Sequence, residues 1–196
     1  MKVIGLTGGI GSGKTAVSDY LAGKGYALTD ADETAREIVS PGSEGLAALA
    51  ERFSGGILLP DGGLDRARLA EIAFASEEER GALNGIMHSR IIKRINELAE
   101  EHRRNGTEVL FLVAPLLIEA GMADMTDEVW LVDADEETRI KRVKRRDDFN
   151  EEHIRRRMAA QMPSSEKRKL ADVVIDNSGD FKELYEKLEN LLRERL

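Results

Sequence analysis

An α/β fold, a three-layer arrangement with a five-stranded parallel sheet in the middle, is predicted by three features of this 196-residue chain. Strand-like and helix-like segments alternate along its whole length. The segment Val109-Leu110-Phe111-Leu112-Val113 is apolar without a break, as suits a central parallel strand covered on both faces. The first strand-like segment runs directly into a glycine-rich loop and then a helix. Internal repeats, low-complexity linkers and a clear domain boundary are all absent from the sequence. The length and the 41% hydrophobic content suit one globular domain with small excursions.

Lys2-Val3-Ile4-Gly5-Leu6 has the apolar run of a buried strand, placed at Val3–Thr7. The loop that follows leads into a helix expected over Lys14–Lys24. Further strands are expected at Tyr26–Thr29, Glu108–Val113, Glu128–Val132 and Val173–Asp176, each short and rich in β-branched or aromatic residues. Between the second and third strands the pattern is almost entirely helical, with helices expected at Glu33–Val39, Glu44–Phe53, Arg66–Phe74 and a long one near Glu77–Arg104. That stretch is longer than a plain crossover and predicts a helical subdomain beside the sheet. The later helices are expected at Glu136–Arg145, Glu151–Ala160, Glu166–Leu170 and Phe181–Arg195. Trp130 falls in the fourth strand and is expected in the core.

Gly8-Gly9-Ile10-Gly11-Ser12-Gly13-Lys14-Thr15 fits the phosphate-binding pattern G-x-x-x-x-G-K-[ST], the P-loop. A triphosphate needs several N–H donors in a tight concavity, and glycines let the backbone approach. The N-terminus of the next helix adds partial positive charge. Lys14 supplies a mobile cation for the β- and γ-phosphates, and the Thr15 hydroxyl is placed to ligate Mg²⁺. The pattern predicts a nucleoside triphosphate site and leaves open the fate of the γ-phosphate.

The formal net charge of −8 argues against nucleic acid or anionic membrane as a general partner, since both favour a basic face. Cysteine is absent, which excludes disulfides, thiolate catalysis and Cys-ligated zinc. His88, His102 and His153 are scattered without metal-ligand spacing. The chain opens on a strand and has no apolar run of membrane-spanning length, so a cytoplasmic protein is expected.

Two charged groupings stand near the expected ligand edge. Asp30-Ala31-Asp32-Glu33 follows the second strand, whose carboxyl end faces the crevice of a doubly wound sheet. A carboxylate there can deprotonate an acceptor hydroxyl or hold water on Mg²⁺. Asp30 with Glu33 also forms a capping pattern, and Asp32 would suit the first helical turn, so both readings stand for each acid. Arg139, Lys141, Arg142, Lys144, Arg145 and Arg146 crowd one helix, followed by Asp147 and Asp148, with Arg155-Arg156-Arg157 soon after. Arg142 and Arg146 are four apart and share a face, where they can close over phosphates and exclude water. A solvated helix with pairs such as Glu137 to Lys141 is the plainer alternative.

From end to end these residues resemble the dephospho-CoA kinase family, which makes the last step of coenzyme A synthesis. Thr7–Thr15, TGGIGSGKT, matches that family's P-loop, and Asp30-Ala31-Asp32 with Ala35-Arg36 matches the segment after its second strand. Pro41-Gly42, Phe53, Asp61-Gly62, Leu64-Asp65-Arg66 and Leu69 are similar to its helical insertion, and His88 stands at its His-Pro position. Pro115-Leu116-Leu117 with Glu119 resembles its PLL-x-E segment. Arg142, Arg146, Arg157 and Gln161 match its lid, and Ala171–Ile175 with Asn177 and Gly179 matches its last strand and turn. The P-loop alone is widely shared; the other segments in this order are far more specific.

The resemblance implies a P-loop core at about residues 1–32, 107–135 and 171–196, a helical acceptor insertion at about 33–106 and a helical lid at about 136–170. It implies ATP-dependent phosphorylation of the ribose 3′-hydroxyl of dephospho-CoA, with Mg²⁺ as the metal. It implies Asp32 as general base, Gly11, Ser12, Gly13, Lys14, Thr15 and Ala16 as the ATP phosphate site, and Arg142 and Arg146 as lid arginines. Asn177 and Gly179 would border the adenine, and Arg36, His88, Pro115, Leu116, Leu117 and Glu119 would serve the acceptor. A monomer or weak oligomer without nucleic-acid or membrane partners is expected. Three positions depart from the family pattern. Ser89 replaces the proline after His88, Ser54 replaces the glycine after Phe53, and Val113 stands where many members carry aspartate. With Val113 there, Mg²⁺ depends on Thr15, the phosphates and water, with Asp30 or Asp32 as further candidates. A kinase for another small hydroxyl or a nucleoside monophosphate, and a nucleotide-dependent switch, are the remaining alternatives.

Overall fold

The central sheet is built from β1 (Lys2–Thr7), β2 (Ala27–Asp30), β3 (Val109–Val113), β4 (Glu128–Asp133) and β5 (Val173–Asp176), in the order β2-β3-β1-β4-β5. It is seen in a computed structural model that describes residues 1–147 and 149–196; Asp148, beside the basic run, lies outside the described residues. The strands are parallel, with Ile4 of β1 opposite Phe111 of β3 and Glu128 of β4, and Trp130 of β4 opposite Val173 of β5. From β1 the chain leaves toward β2, and from neighbouring β4 it leaves toward β5 on the other side. Oppositely directed connections open a crevice at the carboxyl ends of such strands, which is where ligands bind in open α/β sheets.

The chain divides into two compact units, Met1–Thr29 with His102–Leu196 and Asp30–Glu101. The first holds the sheet. Helices α1 (Lys14–Gly23) and α9 (Phe181–Arg195) bring Val17, Leu21, Leu184, Leu188 and Leu192 into a core with Ile4, Leu6, Phe111, Val113, Trp130 and Val132. Trp130 is fully buried, as its strand position predicts, and its indole N–H donates to Glu128 Oε2 at 2.9 Å. A Cβ on Gly5 would lie 2.5 Å from Leu117 Cδ2, so β1 is kept bare there to admit Leu117. Three more helices of this unit, α6 (Glu136–Asp147), α7 (Glu151–Ala159) and α8 (Ser164–Leu170), lie between β4 and β5 in sequence. Ile140, Val143 and Ile154 form their own small core, to which Ile10 of the P-loop, Phe149 and Met158 are added.

The second unit contains α2 (Ala31–Ile38), α3 (Glu44–Phe53), α4 (Arg66–Ala73) and most of α5 (Glu77–Arg104). Its core is Val39, Leu49, Phe53, Ile57 and Leu69, with Ile38, Ile72, Leu83, Ile86 and Met87 around them. Helix α2 begins at Ala31, two residues before the expected start. The Asp30 carboxylate accepts N–H bonds from Asp32 at 2.7 Å and Glu33 at 3.2 Å, which fixes Asp30 as the N-cap. Helix α5 is unbroken through Ser89, which keeps the backbone N–H that a proline would lack and donates its hydroxyl to Gly85 O at 2.9 Å. Ser54 has φ 70° and ψ 160°, a conformation that is nearly a glycine preserve. Among the described residues, no helix is long and apolar enough to cross a membrane.

Candidate active site

Gly13 caps α1 with φ 90°, and no side chain caps that helix or places an acid in its first turn. No side chain occupies its leading N–H groups, unlike those of α2, α3 and α4, which Asp30, Ser43 and Asp65 cap. Lys14 and the exposed Thr15 open the helix. The Ser12 hydroxyl is buried and has no hydrogen-bond partner, and a Cβ on Gly13 would strike the Asn177 amide. Bare backbone, an uncapped helix start and a spare hydroxyl fit a triphosphate.

The loop is gripped from outside. Ile10 N–H donates to Gln161 Oε1 at 2.9 Å, Arg139 Nε donates to Ile10 O at 2.9 Å, and the Ile10 side chain joins the core of α6 and α7. Asn177 Nδ2 donates to Ser12 O at 2.8 Å, and Arg142 Nη1 reaches the same oxygen at 3.4 Å. Asn177 is itself held by its N–H on Asp133 O at 2.7 Å, and its Oδ1 is buried without a partner. Burial pulls the Arg139 pKa down from its usual value, opposed by the charges of Asp133 and Glu136. It stays protonated all the same, since an arginine starts so high.

A chain of polar contacts continues behind the loop. Arg139 Nη1 donates to Ser164 Oγ at 2.9 Å, Ser164 Oγ donates to Asp133 Oδ1 at 3.1 Å, and Arg168 Nε pairs with Asp133 Oδ2 at 2.7 Å. Asp133, at the end of β4, is 3% exposed, and those partners satisfy both oxygens of its buried carboxylate. On the other side of β1, Pro115 O accepts from Thr7 Oγ1 at 3.2 Å and from Lys167 Nζ at 3.1 Å. Lys167 Nζ also pairs with Glu119 Oε1 at 2.8 Å, and that oxygen accepts the Met162 N–H at 3.1 Å.

With this geometry in place, likeness to known proteins is informative. The sequence model of the dephospho-CoA kinase family matches residues 2–183. The chain belongs to the dephospho-CoA kinase family. The Corynebacterium glutamicum dephospho-CoA kinase is 45% identical over 98% of this chain and 96% of its own. That of Corynebacterium jeikeium is 48% identical over 96% of this chain and 97% of its own. The crystal structure of TT1252 from Thermus thermophilus superposes with TM-score 0.84 at 34% identity, covering 100% of this chain and 98% of the other.

Within this kinase fold the sequence-predicted residues fall unevenly. Gly11, Ser12, Gly13, Lys14, Thr15 and Ala16 form one loop and helix start, joined there by Asn177 and Arg142. Arg146 is exposed and forms a two-pronged pair with Asp147, both bonds 2.7 Å, which raises the pKa of Arg146 and lowers that of Asp147. It therefore does not share the contact of Arg142 on Ser12. Gly179 lies in the exposed turn before α9. Leu116 is exposed whereas Leu117 is fully buried on Gly5, so Leu117 shapes the segment from beneath. The Glu119 carboxylate is engaged by Lys167. In the second unit, Asp32 and Arg36 are exposed on α2 and His88 is exposed on α5. Val113 is buried at the end of β3 and gives no metal ligand, and among the described residues no group of three or more acids and histidines is placed to hold a cation. Sequence reasoning missed Arg139 as a clamp, together with Asp133, Ser164, Lys167 and Arg168. Arg139 had a signal: it stands three before Arg142 and seven before Arg146, on their face.

Proposed function

We propose that this chain transfers the γ-phosphoryl group of ATP to the ribose 3′-hydroxyl of dephospho-CoA, giving coenzyme A and ADP. Membership of the family gives the kinase activity, ATP as donor and dephospho-CoA as acceptor, in CoA biosynthesis. The observation that carries the site is the P-loop, uncapped at its helix and clamped by Arg139, Gln161, Asn177 and Arg142.

The donor phosphates rest on the loop and helix start from Gly11 to Ala16, with Lys14 balancing charge as it shifts toward the leaving oxygen. Mg²⁺ would bind through the Thr15 hydroxyl and the phosphates, supplying charge neutralisation. Arg142 stands by the loop and is one cation of the lid; Arg146 joins it on releasing Asp147. Asp32 takes the acceptor proton. Asp30 is spent on the α2 cap, which leaves Asp32 as the acid of this pair with that task. The family motifs support Arg36, His88, Pro115, Leu116, Leu117 and Glu119 as residues that serve the acceptor, and Asn177 with Gly179 as residues that border the adenine. Asn177 has a spare buried oxygen for an N–H donor, which supports that role. The insertion at about residues 33–106 carries the acceptor and the helices at about 136–170 form the lid. A cytoplasmic monomer or weak oligomer, without nucleic-acid or membrane partners, fits the net charge of −8.

An acceptor panel tests this reading. With ATP and Mg²⁺, dephospho-CoA should be converted to a product whose added phosphorus resonance couples to the ribose H3′. Faster transfer to a nucleoside monophosphate, or phosphate on another hydroxyl, would contradict it.

A further inference from the structure

Lys167 is only 1% exposed, an unusual place for an ammonium. It stands on α8, and both its contacts lie in one segment: Pro115 O at 3.1 Å and Glu119 Oε1 at 2.8 Å. That segment follows β3 at the carboxyl edge of the sheet, where Leu116 is left exposed. Pro115 O also takes the hydroxyl of Thr7, the last residue of β1 before the P-loop. Glu119 Oε1 also takes the N–H of Met162, one residue past Gln161, which holds Ile10. One buried cation thus joins the post-β3 segment, the entry to the P-loop and the chain between α7 and α8. Neighbouring residues of α8 serve the opposite side, through Ser164 and Arg168 on Asp133.

We propose that Lys167, acting through Glu119, is a positioning residue for the acceptor side of the site. Its ammonium sets where the Pro115–Leu117 backbone presents itself and therefore how the acceptor is seated. This rests on the functional reading above. Nothing in it requires Lys167 to touch either substrate. A buried ion pair is weak support for stability, because a well-packed apolar pair often replaces it without loss. Its value here is geometric, and that makes the two roles separable.

The test compares the wild type with Lys167→Met and with Lys167→Met/Glu119→Leu, by thermal midpoint and by Michaelis constants for each substrate. The single variant leaves the Glu119 carboxylate, whose side chain is 20% exposed, without its cation, and its midpoint should fall by a few degrees. The double variant removes that orphaned charge and should regain most of the loss. Both should raise KM for dephospho-CoA by about tenfold or more, the scale expected for a misplaced binding segment, with KM for ATP changed less than about twofold. If the single variant does not fold, the double variant carries the comparison alone. An unchanged KM for dephospho-CoA, a KM that recovers together with the midpoint, or an equal rise in KM for ATP would overturn the proposal. A wild type that neither binds nor phosphorylates dephospho-CoA would instead overturn the functional reading, and this inference with it.

Discussion

Ser54 and Asp30 show how much depends on single residues. Ser54 holds φ 70° and ψ 160°, strained for any residue with a Cβ, and its hydroxyl gains only a long 3.4 Å bond from Gly56 N–H. Ser54→Gly should therefore stabilise the protein by about 1 kcal/mol, a net of strain relieved against the extra freedom of glycine in the unfolded chain. Differential scanning calorimetry should show a midpoint higher by a few degrees; a lower one would mean that the hydroxyl outweighs the strain. Asp30 was legible in sequence as either a cap or a catalytic acid, and the geometry of its two N–H bonds makes it the cap of α2. Asp30→Ala should cost about 1 kcal/mol of stability, as lost caps do. The choice between the two roles was hidden in the sequence because the same carboxylate, at the same spacing, serves either.

At the scale of elements, the helices and strands were largely legible, and the long α5 has the expected ends, Glu77 and Arg104. Periodicity is strongest where a segment is long and one-sided. The start of α2 moved because the Asp30 cap sets it instead of the apolar pattern. The clamp on the P-loop was hidden for a different reason. Ile10 has its N–H, its carbonyl and its side chain all engaged by residues more than 120 positions away, and no local pattern encodes that. Arg139 uses Nε on Ile10 O and Nη1 on Ser164 Oγ, two donors pointing to different partners. Arg139→Lys keeps the charge and loses that fork, so it should behave much like Arg139→Met. Both should weaken ATP binding by about tenfold in isothermal titration, equivalent to one buried hydrogen bond lost. Wild-type affinity in the lysine variant would mean that charge alone suffices.

For the whole molecule, Glu128 links distant parts of the first unit. Its carboxylate takes Lys2 Nζ of β1 at 2.8 Å, stands 3.6 Å from Arg195 Nη1 at the end of α9, and accepts the Trp130 indole N–H. The bonds from Lys2, and then from Trp130, hold its pKa below the ordinary 4.5. A carboxyl depressed on folding stabilises above its unfolded pKa and loses that contribution as pH falls through the folded value. Urea midpoints should thus drop as pH goes below 4.5, and Glu128→Gln should show a shallower drop from a lower start; equal slopes would exclude Glu128 as the source. The five-stranded parallel sheet and the kinase family were within reach of the sequence, because the alternating segments, the P-loop and the spaced motifs point the same way; the strand order was not. Nor was the way α6 and the turn after α7 grip the loop. The most direct measurement is ADP formation by the wild type and by Asp32→Asn, with ATP and Mg²⁺, with and without dephospho-CoA. Strong stimulation by dephospho-CoA is expected in the wild type. In Asp32→Asn the rate should fall by roughly two to four orders of magnitude while ATP binding is kept. Release of ADP that ignores dephospho-CoA would contradict the assigned reaction, and a near-wild-type rate in Asp32→Asn would contradict the assigned base.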